Sequence, residues 1–315
     1  MSQIEILSAA KLSPLLEPQV RAHYTLHDRL HESDPAAFAK IAPHIRGIAA
    51  HGESKVPAEL IAQLPALEII SVFGVGYDGV DVAAAKARNI MVTHTPNVLN
   101  DDVADLAMGL MLAAARQLPA ADRFVKEGQW PQGPMPLARK VSGARLGIVG
   151  IGRIGQAIAQ RAAAFNMSIA YTARNPRAEL PFTYYPNPTE LAKVSDYLVV
   201  ITPGGAATRK LINAEVLQAL GQKGILVNVA RGSVIDEAAL IDALEKGVIG
   251  GAGLDVFENE PNVPEKLRAL PHVVLAPHIG SATQQTRQAM ADLAFNNLLG
   301  FLSSKKGITP VPECA

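Results

Sequence analysis

Val149-Gly150-Ile151-Gly152-Arg153-Ile154-Gly155 lies between two runs of different character. Before it, residues 146–149 are an apolar run that reads as a strand; after it, residues 156–165 have the amphipathic spacing of a helix. A G-x-G-x-x-G turn is a weak signal by itself, because glycine-rich turns are common. Set between a strand and a helix it is the fingerprint of dinucleotide binding. Gly150 allows the tight turn, Gly152 lets the backbone approach a pyrophosphate, and Gly155 lets helix and strand pack closely. The start of the helix, with Arg153 and Ile154, offers unpaired N–H groups and a positive dipole end to the phosphates.

Outward from this turn, the chain alternates strand-like and helix-like runs, which implies parallel sheets with helices on their faces. A second unit begins near Lys140, with further strands expected over 168–171, 197–201, 224–228, 250–255 and 273–275. With 146–149 these make six, the strand count of a complete doubly wound dinucleotide fold. The first unit reads as a strand (4–7), a helix (14–30), a strand (48–50), a helix (57–63), a strand (68–73), a helix (81–88) and a strand (90–92), ending around Asn97. Between the units, a mostly apolar helix is expected over 101–118, stopped by Pro119 and followed by a loop rich in Pro and Gly that holds Trp130. A last helix, 284–301, is expected to return to the first unit. The fold class is α/β, with two doubly wound parallel-sheet domains.

Bulk properties narrow the function. The 315 residues are 49% hydrophobic and carry a formal net charge of +0, without the electrostatic footprint expected for nucleic acid or an anionic membrane. One cysteine, Cys314, permits no disulfide within the chain and no cysteine-rich metal site, and no metal is expected. The first residues lack a basic segment followed by a long apolar core, and no apolar run reaches the roughly 18 residues needed to span a bilayer. The expectation is a cytoplasmic protein that binds neither nucleic acid nor membrane.

With these motifs in place, the chain resembles the D-isomer-specific 2-hydroxyacid dehydrogenases, and within them most of all the glyoxylate/hydroxypyruvate and hydroxyphenylpyruvate reductases. The carriers are Phe73-Gly74-Val75-Gly76-Tyr77-Asp78, Val103-Ala104-Asp105-Leu106-Ala107, the glycine turn, Asn228-Val229-Ala230-Arg231-Gly232, Leu254-Asp255-Val256-Phe257-Glu258-Asn259-Glu260-Pro261 and Pro277-His278-Ile279-Gly280-Ser281, in matching order and spacing. The resemblance implies a Rossmann coenzyme domain (99–285) inserted in a flavodoxin-like substrate domain (1–98 and 286–315). It places the active site in the cleft between them. It also implies a homodimer, with the loop around Trp130 at the interface and reaching towards the partner's active site; simple loop packing is the other reading of Trp130.

The coenzyme reading turns on the end of the second strand of that domain. NAD-specific folds of this kind place an acid there for the ribose 2′-OH. Here the sequence runs Thr172-Ala173-Arg174-Asn175-Pro176-Arg177, with no acid before Glu179. Guanidinium groups suit a phosphate dianion, and a carboxylate would repel it. Ala173, Arg174, Asn175 and Arg177 therefore favour NADP(H) over NAD(H); the competing reading is a pair of solvated loop charges. Thr202, Pro203 and Thr208, with Val229 and Ala230, would line the nucleotide site.

Reduction of a 2-keto acid needs a carboxylate grip, a polarised carbonyl and a proton donor. Arg231, after the strand 224–228, has the forked donor for the first two. His278 is the candidate acid, and Glu260 the carboxylate that favours its imidazolium and orients the ring. Alternative readings are an exposed turn residue for Arg231, a buried structural histidine for His278 and a loop carboxylate for Glu260. Asp255 faces the nicotinamide amide in the resemblance or else caps a turn; Gly280 and Ser281 would approach the same end. On the substrate side, the resemblance has Val75 and Gly76 offer backbone N–H groups to the carboxylate, with Gly52 bordering the pocket; an ordinary strand-to-helix turn is the other reading of these glycines. The expected substrate is a small 2-keto or 2-hydroxy acid such as glyoxylate, hydroxypyruvate or an aromatic pyruvate. The rival readings are a phosphoglycerate dehydrogenase relative and a nucleotide-sensing corepressor. The missing NAD-type acid disfavours the first, and the arginines and lack of long disordered tails the second. Formate dehydrogenases lack the glutamate partner.

Overall fold

The computed structural model describes residues 3–52 and 54–315, which form two compact units. The first comprises the chain up to Leu99 together with Thr283–Ala315; the second is Asn100–Ala282.

In the first unit five parallel strands, β1 (Glu5–Ser8), β2 (Thr25–Asp28), β3 (Ile45–His51), β4 (Ile69–Phe73) and β5 (Met91–Thr93), are ordered β2-β1-β3-β4-β5. That is the flavodoxin-like order. β4 is buried along its whole length, as a central parallel strand covered on both faces must be. Its Ser71 hydroxyl donates to the carbonyl of Ala294 (2.9 Å) in the helix Gln284–Ser304, so the last helix does return to this unit. The helix expected over 14–30 is a misreading. The chain leaves helix Glu17–His23 at Tyr24, which is extended, and Thr25–Asp28 becomes the edge strand. Two further helices, Leu30–Ser33 and Pro35–Ile41, follow the strand; the second is capped by the Asp34 carboxylate on the Ala37 N–H.

The second unit holds a seven-stranded parallel sheet: β6 (Arg145–Val149), β7 (Ser168–Thr172), β8 (Thr183–Tyr185), β9 (Tyr197–Val200), β10 (Ile225–Asn228), β11 (Gly251–Leu254) and β12 (Val273–Leu275). Their order, β12-β11-β10-β9-β6-β7-β8, reverses direction between β6 and β9, where doubly wound sheets bind ligands. The expected count of six omitted β8. Its aromatic and β-branched residues between Pro181 and Pro186 are a strand signal that was there to read. Helix Asn100–Arg116 buries Val103, Ala107, Leu110 and Met111 within this unit and packs against β10, β11 and the helix Arg153–Ala164. Pro119 does more than stop it. Gln117 turns left-handed (φ +51°), and Pro119 opens a new helix, Leu118–Lys126.

Candidate active site

Gly150 takes φ +104°, a conformation open to glycine, and a Cβ there would lie 2.8 Å from the carbonyl oxygen of Ile201. A Cβ on Gly155 would collide with the carbonyl of Gly150, so helix and strand approach as closely as the sequence requires. Nothing lies within 4 Å of a Cβ placed on Gly152. The helix begins at Arg153, earlier than expected, with Gly152 as its cap. The N–H of Gln156 donates to Gly152 O (2.9 Å), and those of Arg153 and Ile154 stand before that first helical bond. Open space facing free donors at a helix start fits a pyrophosphate.

β7 delivers Thr172 and then Ala173, Arg174, Asn175 and Arg177, and from Arg174 onward these are exposed. The Tyr171 hydroxyl accepts from the Arg177 N–H (2.7 Å), and the Arg177 guanidinium pairs with Glu179. Across the switch point, Thr202 and Pro203 follow β9, and the Thr208 hydroxyl donates to Pro203 O (2.7 Å). The set of groups fits a dinucleotide with a 2′-phosphate: small neutral residues at the strand end, two guanidinium groups beyond, and no carboxylate before Glu179.

At the far end of β10, the buried Asn228 side chain folds the turn that carries Arg231. Its amide nitrogen donates to Arg231 O (3.1 Å) and its oxygen accepts from the Ala230 N–H (3.0 Å). An asparagine at a strand end, three residues before the arginine, is a local side-chain-to-backbone pattern and the signal that points to it. Arg231 is half-buried and donates through Nη1 to Ala230 O (2.7 Å). A Cβ on the next residue, Gly232, would overlap the backbone of Phe257, so this turn lies directly against the segment leading to Glu260.

His278 Nδ1 and Glu260 Oε2 are 2.7 Å apart. A carboxylate only accepts, so Nδ1 carries the hydrogen. The other Glu260 oxygen accepts from the Phe257 N–H (2.9 Å). The glutamate is the more sheltered partner, its side chain 18% exposed against 37% for the imidazole. Burial pushes the Glu260 carboxyl up, but the hydrogen bonds from His278 and the Phe257 N–H, with the charges of His278 and Arg231, outweigh it and hold the pKa below the ordinary value. Arg231, Glu260 and His278 thus share one electrostatic neighbourhood at the carboxyl ends of neighbouring strands.

Asp255, buried after β11, caps the turn that presents His278. Its carboxylate accepts from the Ile279 N–H (2.7 Å) and the Gly280 N–H (2.8 Å), and its carbonyl accepts from the His278 N–H (2.9 Å). Burial raises its pKa above the ordinary value, against the lowering effect of those two N–H groups and of His278. Ser281 follows, half-buried.

In the first unit, Gly52 follows β3 and Gly74-Val75-Gly76 follow β4. A Cβ on Gly74 would lie 3.5 Å from the Gly52 nitrogen, so these residues adjoin. Among the described residues, no group of His, Cys, Asp and Glu could hold a metal ion, and no helix is long and apolar enough to cross a membrane.

Residues 108–280 match the family model described as D-isomer specific 2-hydroxyacid dehydrogenase, NAD binding domain. A hydroxyphenylpyruvate reductase of Plectranthus scutellarioides is 45% identical over 312 residues, covering 99% of this chain and 100% of its own. A glyoxylate/hydroxypyruvate reductase A of Arabidopsis thaliana is 45% identical over 314 residues, again 99% of this chain and 100% of its own. Among solved structures, an NADPH-dependent glyoxylate/hydroxypyruvate reductase of Sinorhizobium meliloti, in complex with NADP and malonate, is 47% identical. It superposes with a TM-score of 0.93 over 99% of this chain and 98% of its own. The chain belongs to the D-isomer-specific 2-hydroxyacid dehydrogenase family.

Proposed function

We propose that this protein reduces small 2-keto acids to D-2-hydroxy acids with NADPH in preference to NADH. Glyoxylate, hydroxypyruvate and aromatic pyruvates are the substrate class. The observation that carries the reading is the 2.7 Å contact between His278 and Glu260 in the field of Arg231. The bound nicotinamide would supply a hydride to the keto carbon; the residues do the rest. Arg231 grips the substrate carboxylate and draws electron density onto the keto oxygen through its forked donors. Glu260, kept ionised, favours the imidazolium of His278, which gives its Nε2 proton to that oxygen. Val75 and Gly76 offer N–H groups to the carboxylate, and Gly52 borders them. Gly150, Gly152, Arg153, Ile154 and Gly155 hold the pyrophosphate. Thr202, Pro203, Thr208, Val229 and Ala230 line the nucleotide site, and Asp255, Gly280 and Ser281 its nicotinamide end. Ala173, Arg174, Asn175 and Arg177 receive the 2′-phosphate, with the Arg177–Glu179 pair opening to do so. The relatives' names and the bound NADP of the Sinorhizobium meliloti structure support this assignment.

The chain up to Leu99, with Thr283–Ala315, serves the substrate, and Asn100–Ala282 the coenzyme. A homodimer joined through the segment around Trp130, and a cytoplasmic location, complete the proposal; a single unpaired cysteine suits a reducing compartment. The test is loss of nicotinamide absorbance with glyoxylate, hydroxypyruvate and an aromatic keto acid, each with NADPH and NADH, on the native chain and on Arg174→Ala/Arg177→Ala. The native chain is expected to favour NADPH, and the variant to lose NADPH affinity far more than NADH affinity. Equal losses would refute the coenzyme assignment, and no turnover of any keto acid would refute the reductase.

A further inference from the structure

The turn after β4 has an asymmetry between its donors and its acceptors. The carbonyl of Gly74 accepts from the Thr95 N–H (2.8 Å), and the carbonyl of Val75 accepts from His94 Nδ1 (2.9 Å). The Gly74 N–H in turn donates to the Thr95 hydroxyl (3.0 Å). By contrast, the N–H groups of Val75 and Gly76 have no protein acceptor among the described residues, and both residues are half-buried. A carbonyl and the following N–H belong to one peptide group. The Gly74–Val75 peptide therefore takes a hydrogen bond from Thr95 on one side and has a free donor on the other. The Val75–Gly76 peptide does the same with His94. A hydrogen bond received at the oxygen polarises the peptide and strengthens its N–H as a donor.

His94 is built into this position. It is 8% exposed; its N–H donates to Thr309 O (3.1 Å), and its carbonyl accepts from the Thr309 hydroxyl (2.6 Å). Its ring stands edge-on to Tyr77 with centroids 5.5 Å apart. Since a carbonyl only accepts, the ring nitrogen facing Val75 must carry a hydrogen.

We propose that His94 is a positioning residue for substrate. Its Nδ1–H backs the Val75–Gly76 peptide, fixing the Gly76 N–H outward and strengthening its grip on the keto-acid carboxylate. The inference rests on the reading of that turn as the carboxylate site.

His94→Leu removes the donor and keeps the bulk; His94→Phe, which also keeps an aromatic edge towards Tyr77, takes its place if the leucine chain fails to fold. His94→Asn retains an N–H donor. KM and kcat for glyoxylate, the Kd of oxamate (an unreactive carboxylate mimic), the Kd of NADPH and the Tm are measured together. Loss of one supporting hydrogen bond is expected to raise KM and the oxamate Kd roughly three- to tenfold, with kcat and NADPH affinity little changed. The asparagine variant should recover most of the loss. An unchanged oxamate Kd in His94→Leu would overturn the inference. So would an asparagine variant no better than leucine, or a loss of oxamate and NADPH affinity in step with Tm. A native chain that turns over glyoxylate but shows one of these results loses only the inference; one that turns over no keto acid loses the reductase reading itself.

Discussion

His278 holds φ at +53°, in the left-handed region that costs a residue with a Cβ about 1–2 kcal/mol. Three hydrogen bonds to Asp255, from the N–H groups of His278, Ile279 and Gly280, hold the turn and so offset the cost. The imidazole is thereby held with Nδ1 on Glu260. If reduction uses the protonated ring, as proposed, kcat/KM for a keto acid should fall as pH rises through the His278 pKa, and oxidation of the hydroxy acid should rise. Glu260, held below its ordinary pKa, stays ionised across that range and supports the imidazolium. Glu260→Gln removes the negative charge and should move the alkaline limb of reduction to lower pH by roughly one unit or more. A pH–rate profile with its limb unmoved would show that Glu260 does not govern the proton on His278.

At the scale of elements, the glycine turn separates two effects. Gly155→Ala sets a Cβ against the Gly150 carbonyl and must push helix Arg153–Ala164 off β6. Overpacking of this kind costs about 1–3 kcal/mol, and the Tm should fall by several degrees. Gly152→Ala meets nothing within 4 Å, so the Tm should hold while NADPH affinity falls, because the added methyl occupies the space read as the pyrophosphate's. Calorimetry beside a coenzyme titration checks both; equal effects on Tm would contradict the division of labour. The same turn shows what was legible in sequence. Strand, turn and helix are local, and so is the order of motifs that carries Arg231, Glu260 and His278. Edge strands were harder. The helical spacing before β2 runs on through Tyr24 and hides that strand, and β8 is only three residues long. Pro119 ends one helix and begins another. Asn228 supports Arg231 from three residues away, but the support of Val75 by His94 reaches across 19 residues and has no sequence pattern of its own.

For the whole molecule, the segment after helix Asn100–Arg116 is the informative surface. Helix Leu118–Lys126 buries none of its residues in its own chain; Trp130 is 66% and Leu137 99% exposed. Several large exposed apolar side chains along one segment suit a surface for a partner, and a second copy of this chain is the proposed occupant. Sedimentation equilibrium should give a dimer for the native chain and a monomer for Trp130→Asp/Leu137→Asp; a variant that stays dimeric would place the interface elsewhere. The most direct measurement on the enzyme as a whole is His278→Ala, assayed for hydroxypyruvate reduction and, in the same preparation, for NADPH binding by fluorescence. Turnover is expected to fall by at least about a hundredfold, the usual worth of a positioned general acid, with the NADPH Kd nearly unchanged. Reduction at close to the native rate would contradict the assignment of His278 as the proton donor, and with it the site built around Glu260 and Arg231.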